Sequence, residues 1–401
     1  MQNRTTIFSL LMLNIITSMR GQSFQEFVEN LHSFPDSLSQ ARLAEDFFST
    51  RTLPIVENDR VHFIYKGAGS EIAVPGDMNG WNPSNSKMEK LGQTTFFFKT
   101  YQIPRGGRVE YKVWVDGKWM LDSSNLRKAR GGYGENSEIW LPGYLPPEEI
   151  EYVANTPHGR IDTLWIRSKY LKRKYPIFVY VPPERPESNR SPVIYVTDGG
   201  EYMTFGRTTT ILDNLLASGK IQSLIAVFLD PRTDLADASS NRRMSDYAAD
   251  DRFLDFVEKE VAPYVEKRYS CSHEPRERLI MGASMGGLIS TYFVLSRPRF
   301  VLNCVAQSPA YLQADSAVIK KIRRLRKATG NFYIDTGTIH DTQSESQLVK
   351  TLLEEKGAQV QFAEYPEGHN WANWRARISI FLHYFFPRET RNHVGLPERS
   401  P

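Results

Sequence analysis

The stretch RLIMGASMGGLIS, Arg278 to Ser290, sets three glycines and one alanine around a single serine, Ser284, between an apolar strand pattern and an apolar helical one. A serine at the point where a strand turns directly into a helix sits on a very sharp bend. Side chains flanking such a bend collide with the strand and the helix, so glycine or alanine is needed there. The return is a hydroxyl held out at the carboxyl edge of a sheet, at a helix N-terminus whose free amides face it. GASMG, Gly282 to Gly286, therefore reads as a nucleophile elbow with Ser284 as the nucleophile. The bland alternative is a small-residue turn without chemistry.

A serine hydroxyl is a weak nucleophile until a base removes its proton. On a strand–elbow–helix fold the base follows the last strand. YPEGHNWANWR puts His369 there, past the strand QVQFAEY and before the closing helix. His383 falls inside that helix and His340 lies one strand earlier, so neither holds the position. The acid that orients the imidazole should follow the preceding strand, where FYIDTGTIHDTQSES offers Asp335, Asp341 and Glu345. Asp341, beyond the glycine turn, is the choice, although each of the three also reads as a loop carboxylate or a helix cap. The oxyanion needs two preorganised amides. Met285, next after the nucleophile, supplies one. VIYVTDGGEYM supplies the loop for the other, from Gly200 or Glu201, and the sequence does not choose between them. A plain turn is the rival reading of DGG.

The elements that must position these residues come in two textures. From Val56 to Tyr144 short runs rich in valine and aromatics alternate with turn-forming clusters such as NGW, PSNS, PRGG and GGYGEN, the pattern of a small antiparallel β-sandwich. Beyond the proline-bearing connection GYLPPEEIEYVANTPHG, apolar strands alternate with amphipathic helices. The strands are PIFVYVPP, SPVIYVTDGG, SLIAVFLDP, RLIMGAS, FVLNCVAQSP, GNFYIDTG and QVQFAEYPEG. That rhythm predicts a mostly parallel sheet with helices on both faces. The expected divisions are a signal peptide over 1–22, a helical lead-in over 23–52, the all-β sandwich over 53–145, a linker over 146–160, the α/β domain over 161–387 and a disordered tail over 388–401.

Length and composition bound the rest. A chain of 401 residues that is 40% hydrophobic and 24% charged can bury two cores. Fifty basic against 46 acidic residues leave +4, spread without any basic tract, which argues against a nucleic-acid partner. Arg4 followed by IFSLLMLNII, too short to span a bilayer, reads as an export signal cleaved near Gly21 or Gln22, against the alternative of a first amphipathic helix. Export to the periplasm or beyond follows, with no membrane span. Cys271 and Cys304 exclude a disulfide scaffold, and Cys304, in an apolar run, reads as a buried free thiol. Neither the cysteines nor the eight scattered histidines have metal-ligand spacing, so no metal is assigned.

VIYVTDGGEYM, NRRMSDYAADDRFLDFVEKEVAPYVEKRY, MGASMGG and GHNWANWR, in that order, resemble the esterase-D-like branch of the α/β-hydrolases, most closely the enterochelin esterase-like proteins. The resemblance runs from Ile161 to roughly Pro387 and implies an α/β-hydrolase serine esterase without cofactor, with Ser284 and His369 matching nucleophile and base. It also matches an arginine-then-acid pattern to Arg243 and Asp246, either on the substrate side of the pocket or as an ion pair. The chain departs from the family where GTIHD sets Asp341 further past the Gly-Thr turn than usual, which leaves a Ser–His pair as an alternative to a triad. The β-rich region, through GDMNGW, YKVWVDGKWMLD and GENSEIWLPG, resembles the immunoglobulin-like domains related to glycogen-binding modules.

Two ester substrates fit these features. One is a siderophore triester; the other is a hydroxycinnamoyl or acetyl ester on a plant polysaccharide. Arg243, Trp371 just after His369, and Trp119 in the DGKW hairpin are the expected substrate contacts, whereas Trp81 and Trp114 read as packing aromatics. From another class comes a carbohydrate-binding protein with an inactive hydrolase domain, against which the intact Ser284 and His369 stand. The sequence says nothing of oligomeric state.

Overall fold

The computed structural model describes residues 21–184 and 190–388. The expected signal peptide, apart from its last two residues, and the expected tail beyond Arg388 lie outside the described residues. Contacts divide the chain into two units. One takes the described residues up to Leu145 with Thr338–His340 and Tyr365–His369; the other takes Pro146–Gly337, Asp341–Glu364 and the described residues from Asn370.

The first unit opens with helices Phe24–His32 and Ser37–Ser49. Ser23 starts the first with a capping box to Glu26, and Asp36 caps the second through the Ser39 amide. Ten short strands follow: β1 Ile55–Glu57, β2 Arg60–Lys66, β3 Ile72–Ala73, β4 Glu89–Lys90, β5 Phe96–Gln102, β6 Arg108–Tyr111, β7 Val113–Val115, β8 Lys118–Met120, β9 Lys128–Gly131 and β10 Gly134–Trp140. They form three antiparallel sheets, β1-β2-β5-β4, β6-β10-β9 and β3-β7-β8. Successive side chains of β2 point to opposite faces. Ile64 packs with Phe24, Phe27, Phe47 and Phe48 of the helices, while Val61 and Phe63 join Val74, Val109, Tyr111 and Ile139 in a separate core.

The second unit is built on one sheet of eight strands: β11 Arg160–Arg167, β12 Lys174–Val181, β13 Val193–Thr197, β14 Ile225–Leu229, β15 Arg278–Ala283, β16 Asn303–Gln307, β17 Asn331–Gly337 and β18 Gln359–Tyr365. Their order is β11-β12-β14-β13-β15-β16-β17-β18. β11 and β12 run antiparallel, and β14, β13, β15, β16 and β17 pair in parallel. Both faces are covered, so the central strands are apolar throughout. Val193, Tyr195, Val227, Ile280 and Cys304 pack with Phe253, Val265, Leu288, Phe293, Ile322 and Leu353 of helices on one face. Ile194, Val196, Phe228, Met281 and Val305 pack with Tyr202, Ile211, Leu215, Ile378 and Phe381 on the other.

Two elements differ from the sequence reading. β11 is an eighth strand that RIDTLWIR did not announce. As an edge strand it leaves Ile161 and Trp165 exposed among charges, so its apolar signal is diluted. The closing helix is two helices, Trp371–Arg375 and Ile378–Phe385. Among the described residues no helix is long and apolar enough to cross a membrane.

Candidate active site

Ser284 joins β15 to the helix Met285–Ser296 with φ 56 and ψ −117, a backbone conformation that L-residues other than glycine rarely adopt. The bend is held from both sides: its N–H donates to the Gln307 carbonyl at 2.8 Å and its carbonyl accepts from Ala310 at 3.1 Å. The flanking glycines are required by close approach. A Cβ on Gly282 would strike Thr197 Oγ1 and lie 2.5 Å from the carbonyl carbon of Gly286, and a Cβ on Gly286 would strike the same Thr197 hydroxyl.

β13 lies parallel and next to β15, so the DGG loop leaves the same edge of the sheet as the elbow. Asp198 turns the chain through the left-handed region, at φ 52 and ψ 40. Glycine follows it twice for want of space: a Cβ on Gly199 would stand 2.6 Å from the Phe228 carbonyl carbon, and one on Gly200 would strike the Asp230 carboxylate. The Glu201 amide donates to the Asp198 carbonyl at 3.0 Å. Among the described residues the amides of Gly200 and Met285 donate no hydrogen bond, the usual state in a first helical turn. Of the two alternatives left open by the sequence, Gly200 is the one with a donor to spare.

Asp198 is buried, and burial raises its carboxyl above the usual range against the opposing charge of Arg243. Arg243 Nε lies 2.9 Å from both carboxylate oxygens, and Nη2 donates to the Ala283 carbonyl at 2.9 Å. The expected substrate contact Arg243 is therefore tied into the elbow itself. Asp246 is not its partner: that carboxylate accepts from the Tyr175 hydroxyl at 2.6 Å and from Ser245. Glu201, pushed up to about 7 by burial and by Asp198, borders a small pocket with Asp198, Asp230, Pro231, Arg232 and Asn241.

Asp341 follows β17, and both of its carboxylate oxygens accept hydrogen bonds. Oδ2 accepts from Ser308 Oγ and the Gly337 amide, both at 2.6 Å, and Oδ1 accepts from the Thr342 amide at 2.7 Å. Trp374 Nε1 donates to the same Ser308 hydroxyl at 2.9 Å. Asp335 lies within β17, buried, and accepts from Gln307 Nε2 at 3.3 Å. Glu345 sits in the first turn of the helix Gln343–Glu355. Ser308 and Thr197 carried no signal in the sequence, since an isolated hydroxyl at a strand end reads as an ordinary strand terminus.

His369 ends the segment that leaves β18, which neighbours β17 in the sheet. Asn370, immediately after it, caps the helix Trp371–Arg375 through the Asn373 amide at 3.1 Å. By its contacts the segment Tyr365–His369 belongs to the β-rich unit. Trp371 corrects an expectation. It is 7% exposed, edge-on to Tyr202 and Trp374 with ring centroids 5.0 Å away in each case, and belongs to the core beneath the sheet rather than to a substrate surface. Trp119, on β8 opposite Trp114, is 47% exposed. Trp81 donates from Nε1 to Asp77 at 3.0 Å, as a packing aromatic would.

A sharp strand–serine–helix turn on an eight-stranded, mostly parallel sheet flanked by helices is the architecture of an α/β-hydrolase, here preceded by a β-rich domain. The family model described as "Putative esterase" matches residues 168–384, more than half of the chain, and the chain belongs to that esterase family. It is a carboxylic-ester hydrolase. Bacillus subtilis YjcH, itself uncharacterised, is 24% identical over 56% of this chain and 97% of its own. An endo-1,4-β-xylanase/feruloyl esterase of Xylanibacter ruminicola is 27% identical over 40% of this chain and 23% of its own length. The crystal structure of the ferric enterobactin esterase of Salmonella typhimurium superposes with a TM-score of 0.70 at 17% identity, covering 85% of this chain and 98% of that one, and so shares its fold.

Proposed function

We propose that the chain hydrolyses its ester by an acyl-enzyme route in which Ser284 is the nucleophile, His369 the base and Asp341 the orienting acid. The strained backbone at Ser284, fixed by Gln307 and Ala310, is the observation that carries this reading. His369 takes the Ser284 proton as the oxygen attacks the ester carbonyl. The oxyanion is stabilised by the amides of Met285 and Gly200. The carbonyl reforms as the alcohol leaves with the proton from His369. Water, deprotonated in turn by His369, attacks the acyl-enzyme and releases the acid and Ser284.

The substrate proposed first is a catecholate siderophore triester. A fold likeness to an enterobactin esterase that extends over 85% of this chain favours it. A feruloyl ester on a polysaccharide is the second reading, favoured by the relative from Xylanibacter ruminicola and by the exposed ring of Trp119. Export to the periplasm or beyond is part of the proposal and rests on the first residues of the sequence. The test is hydrolysis of a chromogenic short-chain ester by the chain and by Ser284→Ala, with a loss of about 10⁴-fold or more expected. Equal rates end the serine mechanism. An iron-loaded catecholate triester and a feruloylated oligosaccharide, run side by side, decide the substrate; cleavage of the sugar ester alone defeats the first choice.

A further inference from the structure

The segment leading into His369 is gripped by a buried cation. Arg108, on β6, is 1% exposed, and its guanidinium is shared among three carboxylates. Nη2 lies 2.6 Å from Glu110, Nε 2.7 Å from Glu138, and Nη1 3.6 Å from Glu367, two residues before His369. The Glu367 side chain is fully buried. The backbone is tied down as well: the Arg108 amide donates to the Pro366 carbonyl at 3.1 Å, Thr338 donates to Tyr365 at 2.8 Å, and Ile339 donates to Glu367 at 3.2 Å. Glycine at 107 and 368 lets the parts close up, since a Cβ on Gly107 would stand 2.9 Å from the Pro366 oxygen and one on Gly368 would stand 2.7 Å from Asp77 Cβ.

An apolar side chain at 367 would seat this segment without an ionic partner, and replacing buried ion pairs by apolar groups is commonly neutral or stabilising. What the ionic arrangement adds is charge balance two residues before His369: the Arg108 guanidinium, 3.6 Å away, compensates the buried Glu367 carboxylate by charge, while the backbone bonds of Arg108, Thr338 and Ile339 give the segment its direction. We propose that Arg108 is a positioning residue of the reaction, acting through Glu367 to set the place of the His369 imidazole. This rests on the reading of His369 as the base.

Glu367→Gln and Glu138→Gln each remove one negative charge beside the same guanidinium; the second keeps an amide oxygen to accept from Nε and so keeps Arg108 in place, and only the first alters the segment before His369. A misplacement of about 1 Å costs on the order of 10²-fold in rate. The expectation is therefore a kcat lower by about 10- to 100-fold in Glu367→Gln with KM within about threefold, and a kcat near wild type in Glu138→Gln, at comparable melting temperatures. Arg108→Lys keeps the charge but cannot serve the three carboxylates together, and should repeat the kcat loss; it decides the matter if Glu367→Gln does not fold. Wild-type kcat in whichever of these folds, or equal kcat loss in Glu367→Gln and Glu138→Gln, overturns the proposal. His369→Ala is run in parallel. Activity retained there removes the base itself, whereas activity lost there but kept in Glu367→Gln removes only the role of Arg108.

Discussion

Arg243 and Asp198 form a nearly symmetric pair, with Nε 2.9 Å from each carboxylate oxygen, and the same guanidinium holds the Ala283 carbonyl through Nη2. The pair therefore links the DGG loop to the residue before Ser284. Removing one member of a buried pair costs about 3–5 kcal/mol because the other charge is left uncompensated. Arg243→Ala should lower the melting temperature markedly and slow acylation. Arg243→Met with Asp198→Asn should recover part of the stability. Thermal unfolding of the three variants checks this, and a double variant less stable than Arg243→Ala would refute it.

The glycines beside Ser284 lend themselves to a sharper comparison. Gly286→Ala meets the Thr197 hydroxyl, whereas Gly282→Ala meets both that hydroxyl and the Gly286 backbone. Overpacking of this kind costs about 1–3 kcal/mol. Adding Thr197→Ala should rescue about 1 kcal/mol at Gly286 and much less at Gly282, where the backbone clash persists. Denaturant titration of the single and double variants measures both couplings. Equal rescue at the two sites would show that the turn is looser than described.

Two of the carboxylates near the end of β17, Asp341 and Glu345, are separable by rate. Asp341→Asn should reduce kcat by as much as about 10⁴-fold, the effect of losing the acid that fixes an imidazole tautomer. Glu345→Gln should leave kcat close to wild type. Ser308→Ala, which removes a donor to Asp341, should cost roughly a factor of ten, in line with about 1 kcal/mol for one hydrogen bond. Wild-type kcat in Asp341→Asn would leave a Ser–His pair as the working machinery.

Stability should respond to pH through Asp77. Burial and then the charge of Glu110 push its carboxyl up to about 7, against hydrogen bonds from the Glu110 amide and Trp81 that favour the anion. The unfolded chain releases this proton near about 4. Between the two values the folded state holds more protons, so the contribution is whole below the unfolded value and is lost as pH rises through the folded one. Melting temperature should fall from pH 5 to pH 8 with a shallower slope in Asp77→Asn. An unchanged slope would mean that Asp77 is ionised throughout.

Much of this is legible in the sequence. The elbow could be read because its steric demand is local: three glycines within a few residues of one serine have few other uses. Six strands of the large sheet were readable because strands buried on both faces are continuous apolar runs, and β18, at the far edge, was readable from the alternation in QVQFAEY. β11 escaped because an edge strand shares its face with water. Trp371 was misjudged because an aromatic just after a loop histidine has the same sequence signature whether it faces a ligand or a core. Arg108 and Glu367 could not be paired from sequence, since they are separated by most of the chain and nothing local to either announces the other.

The β-rich unit borrows two short returns of chain, Thr338–His340 and Tyr365–His369, from the far half of the polypeptide. Its parts are thus not one contiguous block of inheritance. A recombination event joining the coding region up to Leu145 to a different hydrolase would deliver Arg108 without the acid it clasps, and the hydrolase left behind would keep that acid without its cation. Grafting either part alone should therefore leave a buried charge without its counter-ion.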